Sequence, residues 1–287
     1  MNRFGERRIH YNNFASHLLN AYNPNMLYPT LPYRWSLSDW KNCLKMISSF
    51  GFNVFEFWLV PDLFSHDALQ GETEKTFRRE MNRIIALAHE EGLKVEMMAG
   101  LATVGADWKT YCPNDPDHWD EIRYLWEQWT RAFPELDIVG IFPGDPGGCS
   151  LNGCTALTYI DRSIDICETI TKNLPKAEIE FGTWGPPFFA WGIIEGPPGW
   201  NNEFIQEYQH TAWRFSKERM ERSMNHLLSR LRDFPADTVF AINMGFNPDC
   251  IPEGENNGIP YAREIAKTHR VQTLRGSSFV QRPGCKP

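Results

Sequence analysis

Hydrophobic and polar positions along this chain switch repeatedly between two periods. Short runs that alternate at every second residue read as strands, and longer stretches with apolar residues three and four apart read as helices. Phe14 to Leu19 is the first predicted strand. Ser36-Leu37-Ser38-Asp39 predicts a helix start, because a serine oxygen can take a free amide of the first turn. Trp40, Cys43, Leu44 and Ile47 form that helix's apolar face, and Gly51 stops it. Asn53 to Val60 is the second strand, with Phe55, Phe57 and Leu59 on one face and Val54, Glu56 and Trp58 on the other. A helix follows over Thr76 to Glu91, then a third strand over Leu93 to Met98, in which Glu96 shares a side with Lys94 and Met98. Asp117 to Trp129 is helical, with Ile122, Leu125, Trp126 and Trp129 facing the core.

The fourth strand, Ile138 to Phe142, is apolar throughout and ends at Pro143, which cannot donate to a ladder. Leu157 to Asn173 is a helix. In the fifth strand, Ala177 to Phe181, Ile179 and Phe181 point one way and Glu178 and Glu180 the other. A helical stretch over Ser216 to Arg232 precedes a sixth strand, Thr238 to Met244, with Phe240 and Ile242 outward and Ala241 and Asn243 inward. A short helix, Tyr261 to Thr268, and a seventh strand, Val271 to Leu274, complete the pattern.

Strict strand–helix alternation calls for a parallel sheet. Even spacing around one core predicts an α/β fold of the (β/α)8 TIM barrel type, incomplete at its C-terminal end. Residues 1–287 are expected to form a single barrel domain, a fragment of a longer chain, unless Met1 to Ala15 holds an element that the periodicity misses. No G-x-G-x-x-G follows the first strand, which argues against a nucleotide-binding open sheet.

Composition narrows the partners. A net charge of -7 and the lack of a G-x-x-x-x-G-K cradle argue against nucleic acid and nucleotide phosphates. No apolar run approaches the roughly 18 residues that a membrane helix needs. The polar, basic start Met1 to His10 lacks a signal peptide's apolar core, and localisation stays open. Seven scattered cysteines form no disulfide framework. Cys149 and Cys154 are close enough in sequence for a local disulfide or, with Cys112, part of a metal site. No C-x-x-C or H-E-x-x-H supports zinc, so neither metal nor cofactor is expected.

Chemistry concentrates at the strand exits. Asp145 lies just past the fourth strand, in a loop whose glycines at 144, 147 and 148 permit sharp turns and close approach of a ligand. In parallel α/β folds that edge binds ligands. Alternation places Glu56, Glu96, Glu180 and Asn243 inside the barrel, near the same rim. One inward carboxylate is readily a paired structural charge. Four carboxylates on four strands, Asp145 counted with the three glutamates, are costly to bury without purpose. Neighbouring carboxylates divide into an acid and an ionised partner, which is the pairing glycoside cleavage needs. Asp145 and Glu180 are therefore the candidate catalytic pair. Glu56, Trp58, Glu96, Trp108, Trp184 and Asn243 are candidate substrate contacts, the tryptophans offering flat faces to sugar rings. An irregular stretch from Pro186 to Trp213 reads as a binding loop.

Ile141-Phe142-Pro143-Gly144-Asp145, the exit Gly182-Thr183-Trp184-Gly185 and the order of elements resemble the catalytic barrels of glycoside hydrolases, with a loose echo of the β-hexosaminidase and α-glucuronidase type. β-Hexosaminidases end strand four in an Asp-Glu pair; Asp145 matches the Asp, and Pro146 stands at the Glu. The resemblance implies a carbohydrate substrate and carboxylate acid/base chemistry. Two alternatives share the fold: a metal-dependent sugar isomerase or epimerase, for which His17 is the candidate histidine, and a non-catalytic carbohydrate-binding barrel.

Overall fold

Seven parallel strands hydrogen-bond in the order in which the chain makes them. The computed structural model describes residues 8–11, 35–59, 72–102, 111–143, 152, 154–183, 221–243 and 258–274. The strands are β1 (Arg8–Tyr11), β2 (Val54–Trp58), β3 (Lys94–Gly100), β4 (Ile138–Phe142), β5 (Glu178–Gly182), β6 (Val239–Asn243) and β7 (Arg270–Leu274). Between them run α1 (Leu37–Ser49), α2 (Glu72–Glu90), α3 (Pro116–Ala132), α4 (Ala156–Asn173), α5 over 221–230 continued by a 3-10 turn (Leu231–Asp233), and α6 (Gly258–Ile265). A parallel neighbour at every step, each reached through a helical crossover, is the order of a (β/α)8 barrel; among the described residues it holds seven strands.

The helices begin where their sequences supply caps. Ser36 and Asp39 form a reciprocal capping box at α1. Asp115 accepts from the amides of Asp117 and His118 at the start of α3, whose first residue is Pro116. Thr155 caps α4. Gly51 and Gly92, both at positive φ, turn the chain out of α1 and α2 toward the next strands.

Each strand splits its side chains between two environments. Phe55, Phe57, Val95, Met97, Val139, Ile141, Ile179, Phe181, Phe240 and Ile242 join one large core with the helices, Trp126 and Trp129 included. Burial of each such side chain is worth about 1.5–3 kcal/mol, so this layer dominates stability. Trp58, Met98 and Phe142 form a separate cluster on the opposite face. That second face is the barrel's interior, and the acidic residues predicted to point inward lie on it.

The sheet is tied at both ends. At the N-terminal edge, Asp137 Oδ2 accepts from the Val95 amide at 2.7 Å and bonds His89 Nε2 at 2.8 Å. One carboxylate thereby joins α2, β3 and the start of β4. At the C-terminal edge, Trp126 Nε1 donates to the Leu101 carbonyl at 3.0 Å. The Tyr159 hydroxyl lies 3.0 Å from the Ile141 carbonyl and 2.7 Å from that of Gly182. Burial pushes the Tyr159 phenol well above its ordinary range, which keeps it a donor.

Two expectations need correction. The first strand is Arg8–Tyr11, and Phe14 to Leu19 lies outside the described residues. Arg8-Ile9-His10-Tyr11 has one aliphatic residue, so hydropathy does not mark it; pairing with Val54 to Phe57 does. The fifth strand runs one residue later than expected and ends at Gly182, because its last partner is Ala241.

Asp137→Ala is expected to cost about 1–3 kcal/mol, since it strands the Val95 amide and loses the His89 bond. Tyr159→Phe should cost a similar amount, of order 1–3 kcal/mol, by leaving buried carbonyls without their donor. Urea unfolding midpoints check both. A change below about 0.5 kcal/mol in either variant contradicts the role given to that side chain.

Candidate active site

Glu56, Glu96 and Glu180 are each the third residue of their strand, in β2, β3 and β5. All three are buried, Glu96 and Glu180 completely. They sit at mid-strand, deeper than the rim that alternation alone suggested. The reason lies in strand length: β2 and β5 have five residues each and β3 has seven, and the chain continues two or more residues past each glutamate before leaving the sheet.

Register brings the three together. Glu56 pairs with Glu96 directly across β2 and β3. Glu180 pairs with Gly140 of β4, and Gly140 pairs with Met98 of β3. Gly140 is the element that lets the carboxylates approach. A Cβ there would stand 2.9 Å from Glu96 Oε1, so the Glu96 carboxylate reaches across β4 into space that any other residue would fill. Glu96 and Glu180 therefore flank a strand position that carries no side chain.

Two residues beyond Glu56 and Glu96 come Trp58 and Met98, and β4 contributes Phe142. Trp58 and Phe142 meet edge to face with ring centroids 6.3 Å apart. Phe142 leans over Gly182, where a Cβ would stand 2.5 Å from the ring. A second absent side chain thus seats the aromatic cap above the acidic layer. The arrangement is an acidic floor on three strands, an aromatic and thioether layer over part of it, and strand exits pinned from outside by Trp126 and Tyr159.

The remaining predicted site residues are less fully placed. Asp145, Trp108 and Trp184 lie outside the described residues. Asn243 is the last residue of β6, in register with Leu274; its side chain is outside the described set. His17 is likewise outside it. Sequence reading missed His10, which the register sets beside Glu56. It also missed Gly140 and Gly182. For Gly140 the available signal was a lone glycine inside an otherwise apolar strand, which marks a close approach; Gly182 ends β5 and offered no such signal. Among the described residues, no three His, Cys, Asp or Glu groups are arranged to hold a metal ion. No described helix is long and apolar enough to cross a membrane.

No family model and no curated protein matches this chain. Solved structures do. An exo-β-1,4-mannosidase from Opitutaceae bacterium strain TAV5 is 15% identical, over 61% of this chain and 31% of that one, with a TM-score of 0.42. A variant of the O-GlcNAc hydrolase of Thermobaculum terrenum is 10% identical over 84% of this chain and 44% of that one, with a TM-score of 0.44. A GH18 chitinase from Pseudoalteromonas aurantia is 12% identical over 94% of this chain and 79% of that one, with a TM-score of 0.47. The chain spans less than half the length of the first two. At these identities and scores the fold is read from the strand order itself.

Proposed function

We propose that this chain is a glycoside hydrolase that cleaves an oligo- or polysaccharide with a pair of carboxylates. The observation that carries the reading is the placement of Glu56, Glu96 and Glu180, from three separate strands, on the buried inner face opposite the helix-packed core. Burying carboxylates is expensive, by several kcal/mol for each ionised group even after relaxation. A site that must supply one acid and one ionised group gives that expense a purpose.

In this reading Glu180 and Asp145 are the reacting pair. Glu180 rises from β5 in register with Gly140, and Asp145 follows Pro143 by two residues after β4. One protonates the leaving oxygen; the other serves as base or nucleophile at the sugar carbon. Glu96 and Glu56, at the depth of mid-strand, bond sugar hydroxyls from below or hold the charge of Glu180. Trp58, Trp108 and Trp184 supply ring-stacking faces and Asn243 a hydroxyl partner. Within the glycoside hydrolases, the β-hexosaminidase and α-glucuronidase type is favoured by the run Ile141 to Asp145 and the exit Gly182 to Gly185. With proline at 146, Glu180 takes the acid's part.

Release of reducing ends from a panel of polysaccharides and aryl glycosides tests this. Glu180→Gln and Asp145→Asn should each lower kcat/KM by about 100-fold or more, with circular dichroism unchanged. Full activity in both variants rejects the assignment. Turnover that chelators abolish and a divalent cation restores belongs to the isomerase alternative. Tight oligosaccharide binding without turnover belongs to the binding-barrel alternative.

A further inference from the structure

Two buried thiols, one shortly before α3 and one shortly before α4, face each other. Cys112 Sγ and Cys154 Sγ lie 3.4 Å apart, across 42 residues of sequence, and neither is in a disulfide. The backbone holds each in place. The Tyr111 amide donates to the Ala102 carbonyl at 3.0 Å, which holds Tyr111 against the residues that follow β3. The Cys112 amide donates to His118 Nδ1 at 3.3 Å, and the His118 ring stacks on Tyr111 with centroids 4.6 Å apart. Cys154 directly precedes Thr155, the cap of α4. Between the two strand exits, Asn114 Nδ2 donates to the Asn152 carbonyl at 2.9 Å, and Asn152 Nδ2 lies 3.5 Å from Cys112 Sγ. Asn152 itself is at φ 53, the left-handed conformation that asparagine tolerates better than most residues.

We propose that Cys112 and Cys154 are a redox-active pair that closes to a disulfide and locks the β3 and β4 exits to each other. Two cysteines can also be packed simply as small apolar side chains. Here, however, the sulfurs lie 3.4 Å apart, and the Asn152 side-chain amide lies 3.5 Å from Cys112 Sγ. The reaction is thiol–disulfide exchange with a small disulfide such as oxidised glutathione. One cysteine thiolate attacks a glutathione sulfur, forming a mixed disulfide and expelling one glutathione thiolate. The second cysteine thiolate attacks the mixed disulfide's protein sulfur and expels the other. The two protons lost by the protein end on the two glutathione molecules, so the protein is oxidised by two electrons and glutathione disulfide is reduced. Both thiols are buried, so local opening sets the rate. The new bond would constrain the unfolded chain over the intervening segment and fix the approaches to α3 and α4 to each other. This inference stands apart from the sugar-cleaving proposal, because it uses none of its residues.

The test is incubation of the full chain with oxidised glutathione for several hours, alkylation in denaturant without reductant, and peptide mapping. The expected product is a cross-linked pair of peptides containing Cys112 and Cys154, lighter by two hydrogens than the sum of its parts and released by dithiothreitol. Melting of the oxidised protein should rise by about 5 °C or more and fall back on reduction. Cys112→Ser and Cys154→Ser should show neither change; the wild-type peptide map decides the matter even if either variant fails to fold. Persistent glutathione adducts on either cysteine, a bond from either to a third cysteine, or two thiols still open to alkylation would overturn the pairing. A cross-link that leaves the melting temperature unchanged would overturn the locking.

Discussion

The Glu96 carboxylate occupies space that a side chain at position 140 would take: a Cβ on Gly140 would stand 2.9 Å from Glu96 Oε1. That contact links the acidic residues of the inner face. Glu56 is in register with Glu96 on one side, and Glu180 is in register with Gly140 on the other. With any larger residue at 140, Glu96 would have to turn away from β4, the strand that separates it from Glu180. A glycine inside a strand gives up backbone entropy and packing, so its presence in the middle of an apolar run needs a reason of this kind.

The rest of the molecule holds that contact in place. The helix-facing core, with its chain of aromatic contacts from Trp40 through Phe55, Phe57 and Phe133, fixes where the strands lie. Asp137 fastens the N-terminal edge, and Trp126 and Tyr159 fasten the carbonyls at the C-terminal exits. Trp126 and Tyr159 come from helices and Asp137 from the turn before β4, so the interior is left to the residues that carry chemistry. Gly182 repeats the device of Gly140 by making room for the Phe142 ring, which packs against Trp58 above the carboxylates.

Much of this was legible in the sequence because period-two alternation in a parallel sheet with helices outside has only one sensible reading. Phe55 and Phe57 had to face helices, and Glu56 between them had to face inward; the same logic placed Glu96 and Glu180. Strand order followed from regular alternation. What escaped has physical causes. Arg8–Tyr11 carries too little hydropathy to be seen, and only its ladder with β2 reveals it and the position of His10 beside Glu56. Depth along a strand escaped as well, since periodicity gives the face but not the distance from the rim. The Cys112–Cys154 contact joins residues from different strand exits; sequence could group both with Cys149 as metal ligands, but spacing does not say which two thiols face each other.

The most direct test of the account is a double-mutant cycle between positions 140 and 96, read as unfolding free energy in urea. Gly140→Ala should destabilise the protein by about 1–3 kcal/mol, as overpacking of a filled site does. The same substitution in a Glu96→Ala background should cost less by at least about 0.5 kcal/mol, because the atom it collides with is gone. An equal cost in both backgrounds would mean that the Glu96 carboxylate does not lie over β4, and the convergence of the inner acids would fall with it.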